Sequence, residues 1–267
     1  MALHYATENQ ASEDVVTALI KANPEGACVQ DKEHGWLPLH SAAANEASEE
    51  VVLTLLRAYP KGASVKCNHG DRLPLHWAVM RQSPPGAVEA LVEAYPEAVS
   101  MADDSYNGWL PLHYAAANKA SADVVKVLLR AHPEAAFAAD NFYKKLPLHY
   151  AAEKQAWAES AWALLRANEN AAEARDALCK IPLHYAAEST GDDEASPELM
   201  EVLSSSHPLA CCAKDPQGHV ALQIAIKAKA SVERQFMCLP RNMPAAFALQ
   251  HGAEADLILY FIEIDIF

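Results

Sequence analysis

The chain has 267 residues, 51% of them apolar, and a formal net charge of −14. The surplus of carboxylates argues against a nucleic-acid partner, which needs clustered Lys and Arg, and against an anionic membrane surface. Apolar residues suffice for a continuous core, and with nine Gly against sixteen Pro the turns lean on proline.

One heptapeptide organises the chain. Leu110-Pro-Leu-His-Tyr-Ala-Ala116 returns nearly unchanged as residues 146–152 and 181–187. Looser copies begin at Leu37 and Leu73, and a clipped one, Leu3-His4-Tyr5-Ala6, lies near the start. The motif histidines His4, His40, His76, His113, His149 and His184 are spaced by 36, 36, 37, 36 and 35 residues, and Gln223 stands one step further on. Self-similarity at a fixed period of this size marks a stacked array rather than separate globular domains. The expected fold is all-α, a helical repeat solenoid of about seven helix-turn-helix units with connecting hairpin loops. The units fall near 1–34, 35–70, 71–107, 108–144, 145–180, 181–217 and 218–238, followed by a degraded repeat and tail over 239–267.

The second unit shows the grammar. Pro38 suits the first position of a helix, where its missing N–H costs nothing. Leu39, Ala42 and Ala43 follow at helical spacing. Ser48 is a candidate N-cap for a second helix, with Glu49 and Glu50 in its first turn and Arg57 near its carbonyl end. Val51, Val52, Leu55 and Leu56 form that helix's apolar stripe, and Pro60 stops it. Further N-cap candidates are Ser12, Ser121, Ser196 and Ser231, and further helix-ending prolines are Pro24, Pro96, Pro133 and Pro208. Seven residues after these prolines come Asp31, Asp103, Asp140 and Asp215, each suited to a turn through carboxylate bonds to backbone N–H groups. The fifth unit puts Asp176 in this register, and the second puts Cys67 there.

Three units depart from the pattern, through Ser83-Pro-Pro-Gly86, through Trp157 and Trp162, and through the acidic insertion Gly191-Asp-Asp-Glu194. The first unit begins inside a helix, which predicts an open end face. In the tail, Ile262, Ile264 and Ile266 alternate with acids and read as a strand packed on the last unit or on another chain. The apolar run from Leu257 is too short for a membrane-spanning helix, which takes ~20 residues.

These linked motifs resemble the ankyrin repeat, whose unit carries Thr-Pro-Leu-His-x-Ala-Ala, then Val-Val-x-x-Leu-Leu, then a turn led by Asp. The resemblance covers about residues 1–235. It implies paired antiparallel helices with outward-bent hairpins, stacked as a solenoid, and a protein-binding role without catalysis. The chain departs from the family in three ways. Leu37, Leu73, Leu110, Leu146, Ile181 and Val220 replace the capping Thr. The Gly between the helices is missing, and the period is longer by about three residues.

Two registers vary where the rest is constant. The residue after each histidine is Tyr5, Ser41, Trp77, Tyr114, Tyr150 or Tyr185, which by resemblance lies on the inner side of the first helix. Packing between neighbouring helices and a partner-binding stripe are both open there. The residue before the Leu-Pro step is Trp36, Arg72, Trp109, Lys145, Lys180 or His219, which by resemblance faces the concave groove. The expected partner-binding residues are Trp36, Arg72, Trp77, Trp109, Tyr114, Lys145, Tyr150, Lys180 and Tyr185. The expected partner is another protein, with membership of a larger complex as the alternative; no nucleic acid or membrane insertion is expected. The motif histidines, about one helix spacing apart, cannot converge on one metal ion, so no metal or cofactor is expected. No phosphate loop, zinc-protease or serine-hydrolase motif occurs, so no catalytic residue is assigned. The cysteines contain no Cys-x-x-Cys pair, which points to reduced thiols in a cytoplasmic or other reducing compartment.

Overall fold

The computed structural model describes residues 2–104, 107–188, 197–231, 235 and 237–239. The acidic insertion at 191–194 and the alternating tail lie outside them, as does Ser196.

Each repeat opens with a short helix whose first turn is the heptapeptide. These helices are α1 (Ala2–Glu8), α3 (Pro38–Ala44), α5 (Pro74–Met80), α7 (Pro111–Ala117), α9 (Pro147–Lys154), α11 (Pro182–Glu188) and α13 (Ala221–Lys227). Proline occupies the first helical position in α3, α5, α7, α9 and α11, as expected. The second helices are α2 (Glu13–Ala22), α4 (Glu49–Ala58), α6 (Pro85–Ala94), α8 (Ala122–Ala131), α10 (Ala158–Ala167) and α12 (Pro197–Ser206). Ser48 and Ser121 cap α4 and α8 by accepting from Val51 and Val124 N–H, whereas Ser12 precedes α2 without a side-chain cap bond. The expected stop at each proline is also the start of a tight 3₁₀ turn, as in Pro24–Cys28, Pro60–Ser64 and Pro96–Ser100. Helical periodicity alone does not reveal these single turns.

The chain forms two compact bodies, Met1–Ala135 and Ala136–Phe267. In the first, α1, α3, α5 and α7 stack in sequence, and α2, α4, α6 and α8 stack beside them. In the second, α9, α11 and α13 form one row and α10 and α12 the other. The motif residues Leu39, Leu75, Leu112, Leu148, Leu183 and Leu222 are buried in the stack. Each contributes about 1.5–3 kcal/mol by leaving water. Paired small residues such as Ala42-Ala43, Ala115-Ala116, Ala151-Ala152 and Ala186-Ala187 are buried beside them and let neighbouring backbones approach closely.

The missing interhelical glycine has a structural counterpart. Gln10, Glu46, Gln82, Lys119, Gln155 and Lys229 follow the first helix of their repeats, with φ between 52° and 59°. A backbone bond from the next N–H closes each turn, Ala47 to Ala42 O at 3.0 Å and Ala120 to Ala115 O at 2.9 Å among them. This is the Schellman cap, whose left-handed position glycine normally fills. Here the closure holds ordinary residues in that conformation. The left-handed form costs an L-residue ~1–2 kcal/mol, and glycine loses about 0.5–1 kcal/mol of chain entropy in exchange. Glu46 is exposed, so Glu46→Gly should raise stability by roughly 0.5–1 kcal/mol, measured as a higher denaturation midpoint. An unchanged or lower midpoint would count against strain at this turn.

Candidate partner-binding surface

The hairpins between repeats are built on the expected aspartates. Asp31 Oδ1 accepts from His34 N–H at 2.6 Å and Glu33 N–H at 2.9 Å, while Oδ2 accepts from Trp36 N–H at 3.0 Å. Asp140 takes Phe142, Tyr143 and Lys145 N–H in the same way, and Asp176 takes Leu178 and Lys180 N–H. Burial pushes the Asp31 and Asp215 carboxyls up, but backbone N–H donors, those named for Asp31 and His219 N–H for Asp215, together with the neighbouring histidines hold both below the ordinary value. Neighbouring hairpins are also tied together. Asn68 N–H donates to His34 O at 2.9 Å and Asp104 N–H to Gly70 O at 2.7 Å.

The motif histidines are buried, and His76, His149 and His184 use both ring nitrogens. His76 Nδ1 accepts from Leu73 N–H at 3.1 Å, and Nε2 reaches Met101 O of the following repeat at 3.0 Å. His149 repeats this with Leu146 N–H and Ala174 O, and His184 with Ile181 N–H and Ala213 O. The imidazole, at the third helical position, therefore plays the reach-back part of a capping box by accepting the N–H of the residue that precedes the helix. Gln223 does the same in the last repeat, its Oε1 accepting from Val220 N–H at 3.2 Å. Burial is the leading cause that lowers His40, His76 and His149 to about 4, and it lowers His184 as well.

In the first body, Trp36, Arg72 and Trp109 are half-buried, whereas Trp77 and Tyr114 are buried. The five form one ladder. Trp36 meets Trp77 edge-on at 4.7 Å, and the Arg72 guanidinium lies 5.5 Å from the Trp77 ring and 5.6 Å from Tyr114. Tyr114 meets Trp109 at 4.9 Å. Arg72 Nε also bonds the buried Asp103 carboxylate at 3.0 Å, and the Tyr114 hydroxyl donates to the same carboxylate. Burial first, and the Asp103 bond second, push Tyr114 up to about 12.

The second body uses lysine in place of arginine. Lys145 is buried, with Nζ 3.9 Å from the Tyr185 ring centre and in an ion pair with Glu153. Half-buried Lys180 pairs with Glu188 and lies 5.2 Å from the same ring. Tyr150 and Tyr185 are buried and donate to Asp140 and Asp176. At Trp77, Tyr114, Tyr150, Tyr185 and Lys145, then, the structure shows packing between helices and hairpins. Trp36, Arg72, Trp109 and Lys180 retain surface. Tyr5, in the same register as the buried tyrosines, is 70% exposed.

Sequence reasoning missed the partners of these residues. Lys145–Glu153 and Lys180–Glu188 share an offset of eight residues, a signal present in the repeat alignment. A tyrosine after the histidine also coincides with an aspartate in the hairpin before it, at 114 with 103, 150 with 140 and 185 with 176. Where the hairpin carries Cys67, the later position is Trp77.

Constant residues that build a stack, beside variable residues on one edge of it, define a helical repeat protein of the interaction type. The profile for ankyrin repeats (3 copies) matches residues 50–141, 75–176 and 112–205. Together these matches span more than half of the chain, and the protein belongs to the ankyrin repeat family. Among solved structures, the ankyrin repeat domain of Bcl-3, a unique member of the IkappaB protein family, aligns with a TM-score of 0.60. That alignment has 20% identity and covers 89% of this chain and 97% of that one, a likeness of fold. A chain from the complex of the Bd0816 predatory endopeptidase of Bdellovibrio bacteriovorus with immunity protein Bd3460 aligns more loosely. Its TM-score is 0.47 at 20% identity, over 85% of this chain and 92% of that one. Comparison with curated proteins returns no match. Among the described residues, no helix is long and apolar enough to cross a membrane.

Two outcomes follow from this chemistry. His40, His76 and His149 are neutral in the fold and protonate near pH 6.5 when unfolded, so below that pH the unfolded chain binds more protons. Stability should be full above about pH 6.5 and fall as pH drops toward 4, read from denaturant midpoints across that window. A midpoint constant over the window would contradict the neutral, buried imidazoles. Separately, Tyr185→Phe strips a buried donor from Asp176 and should lower stability by about 1–3 kcal/mol. Tyr5→Phe, at the exposed counterpart, should change little by the same assay.

Proposed function

We propose that this chain is a non-catalytic scaffold that holds a protein partner along its inner helices and hairpins. On the first body the contact residues are Trp36, Arg72 and Trp109. On the second, Lys180 occupies the same register. The observation that carries the reading is the ladder beneath them. Trp36 and Trp109 keep surface while their rings are braced against Trp77 and Tyr114. Large side chains already fixed in place lose little freedom on binding, and Trp, Tyr and Arg are over-represented among binding hot spots. The commitment of the histidine nitrogens to backbone bonds supports a structural rather than a catalytic role for them. Six free cysteines fit a reducing compartment.

A second reading, a subunit fixed in a larger assembly, draws support from α1 and α2. Ala2, Tyr5, Ala6, Asn9, Ala11, Val15 and Leu19 line an open, largely apolar concavity of about 580 Å³ there. A purified chain that stays monomeric and soluble at high concentration would weigh against it.

The first reading is tested by affinity capture with Trp36→Ala/Trp109→Ala beside the native chain, with partners identified by mass spectrometry. Capture of the partner should fall on the order of tenfold while helix content by circular dichroism stays constant. Equal capture by both chains refutes the site.

A further inference from the structure

Three consecutive hairpins of the second body carry a surface that the stack does not require. The hairpin after Asp140 exposes Phe142 (47%) and Tyr143 (39%), in edge-to-face contact at 4.5 Å, and the next exposes Leu178 (49%). Two tips of the first body that the structure describes in full are polar, Lys32-Glu33-His34 and His69-Gly70-Asp71. An apolar side chain is therefore not needed to close this kind of turn. The three hairpins are joined. Ala177 N–H donates to Tyr143 O at 2.7 Å, and Arg175 Nη1 donates to Cys179 O at 2.6 Å and Lys214 O at 2.9 Å. Phe142, Tyr143 and Leu178 thus stand exposed on adjacent hairpins that are bonded to each other.

Three exposed cations stand on these hairpins, although the chain as a whole carries −14. Lys144, Arg175 and Lys214 are exposed and make no ion pair among the described residues. The aspartates of the same hairpins, Asp140, Asp176 and Asp215, keep their charge but are buried, whereas the cations are exposed. Asp140 and Asp176 are taken by backbone N–H groups and by Tyr150 and Tyr185, and Asp215 by His219 N–H. Glu173 lies 2.9 Å from His207. Lys145 and Lys180 are neutralised by Glu153 and Glu188. An apolar patch bordered by exposed cations, with the acids of the same hairpins buried beneath, complements a ligand that is apolar and anionic at once.

We infer that these hairpins bind a short peptide segment in which Asp or Glu alternates with bulky apolar residues. The inference rests on the protein-binding reading above and names the chemistry of the partner. Three cations on so acidic a chain are few for a phosphate backbone.

The test is fluorescence anisotropy of the full chain with a fluorescein-labelled peptide of repeated Asp-Leu-Glu-Phe units. The comparison probes are the same peptide with Lys for each acid, and a labelled oligothymidine. The acidic peptide should bind, and binding should weaken with added salt. Phe142→Ala/Leu178→Ala and Lys144→Glu/Lys214→Glu should each reduce affinity about tenfold or more without altering helix content. Lys214 holds Arg175 only through its backbone carbonyl, so its substitution leaves that bond available. No binding of the acidic peptide, equal binding of the lysine peptide, tighter binding of the oligothymidine, or indifference to both variants overturns the inference. If the peptide fails while a captured protein is still released by Trp36→Ala/Trp109→Ala, this inference alone falls. If the chain captures no protein at all, both readings fall.

Discussion

The buried motif imidazole is the constraint on which the repeats depend, and at His76, His149 and His184 both of its nitrogens are engaged. Nδ1 closes the start of its own helix by accepting the Leu or Ile N–H three residues earlier. Nε2 reaches a backbone carbonyl of the repeat that follows. One side chain thus couples the beginning of a helix to the position of the next hairpin. The coupling requires the neutral ring, since a second proton would occupy the nitrogen that receives the helix N–H. Burial supplies that condition by disfavouring the charged form.

The hairpins add a second bond set, built on carboxylate. Each buried aspartate satisfies several backbone N–H groups of its turn. In three repeats its spare capacity also takes a tyrosine hydroxyl from the following helix. That arrangement explains why tyrosine and aspartate occur together and why the repeat with Cys67 carries Trp77. A buried phenol needs an acceptor, which Cys67 does not offer as a carboxylate would; the Trp77 indole packs edge-on against Trp36 instead, its N–H without a partner among the described residues. The apparent variety at one register therefore reflects what the neighbouring hairpin offers.

With these bonds in place, the remaining freedom lies at hairpin tips and at the residue entering each helix. Tip residues close the turn through backbone groups, so their side chains are unconstrained by the stack. The first body fills its described tips with polar residues, and the second fills two of its tips with Phe142, Tyr143 and Leu178. The same backbone design thus presents chemically different edges. Such separation of framework from contact surface is characteristic of repeat proteins.

The fold was legible in the sequence because its information is local and repeated. A period near 36, proline at the first helical position, paired alanines and an aspartate at fixed distance each constrain a few adjacent residues, and repetition made them unmistakable. The candidate site was legible only in part. Both variable registers could be read, but their exposure could not. Trp77, Tyr114, Tyr150, Tyr185 and Lys145 are buried because the next repeat closes over them, and that closure depends on distances between segments roughly one period apart. Glu153 and Glu188 stood at a constant offset from their lysines, yet only the folded hairpin brings each pair into contact. Sequence determined which residues build each repeat; stacking decided which of them water and a partner can still reach.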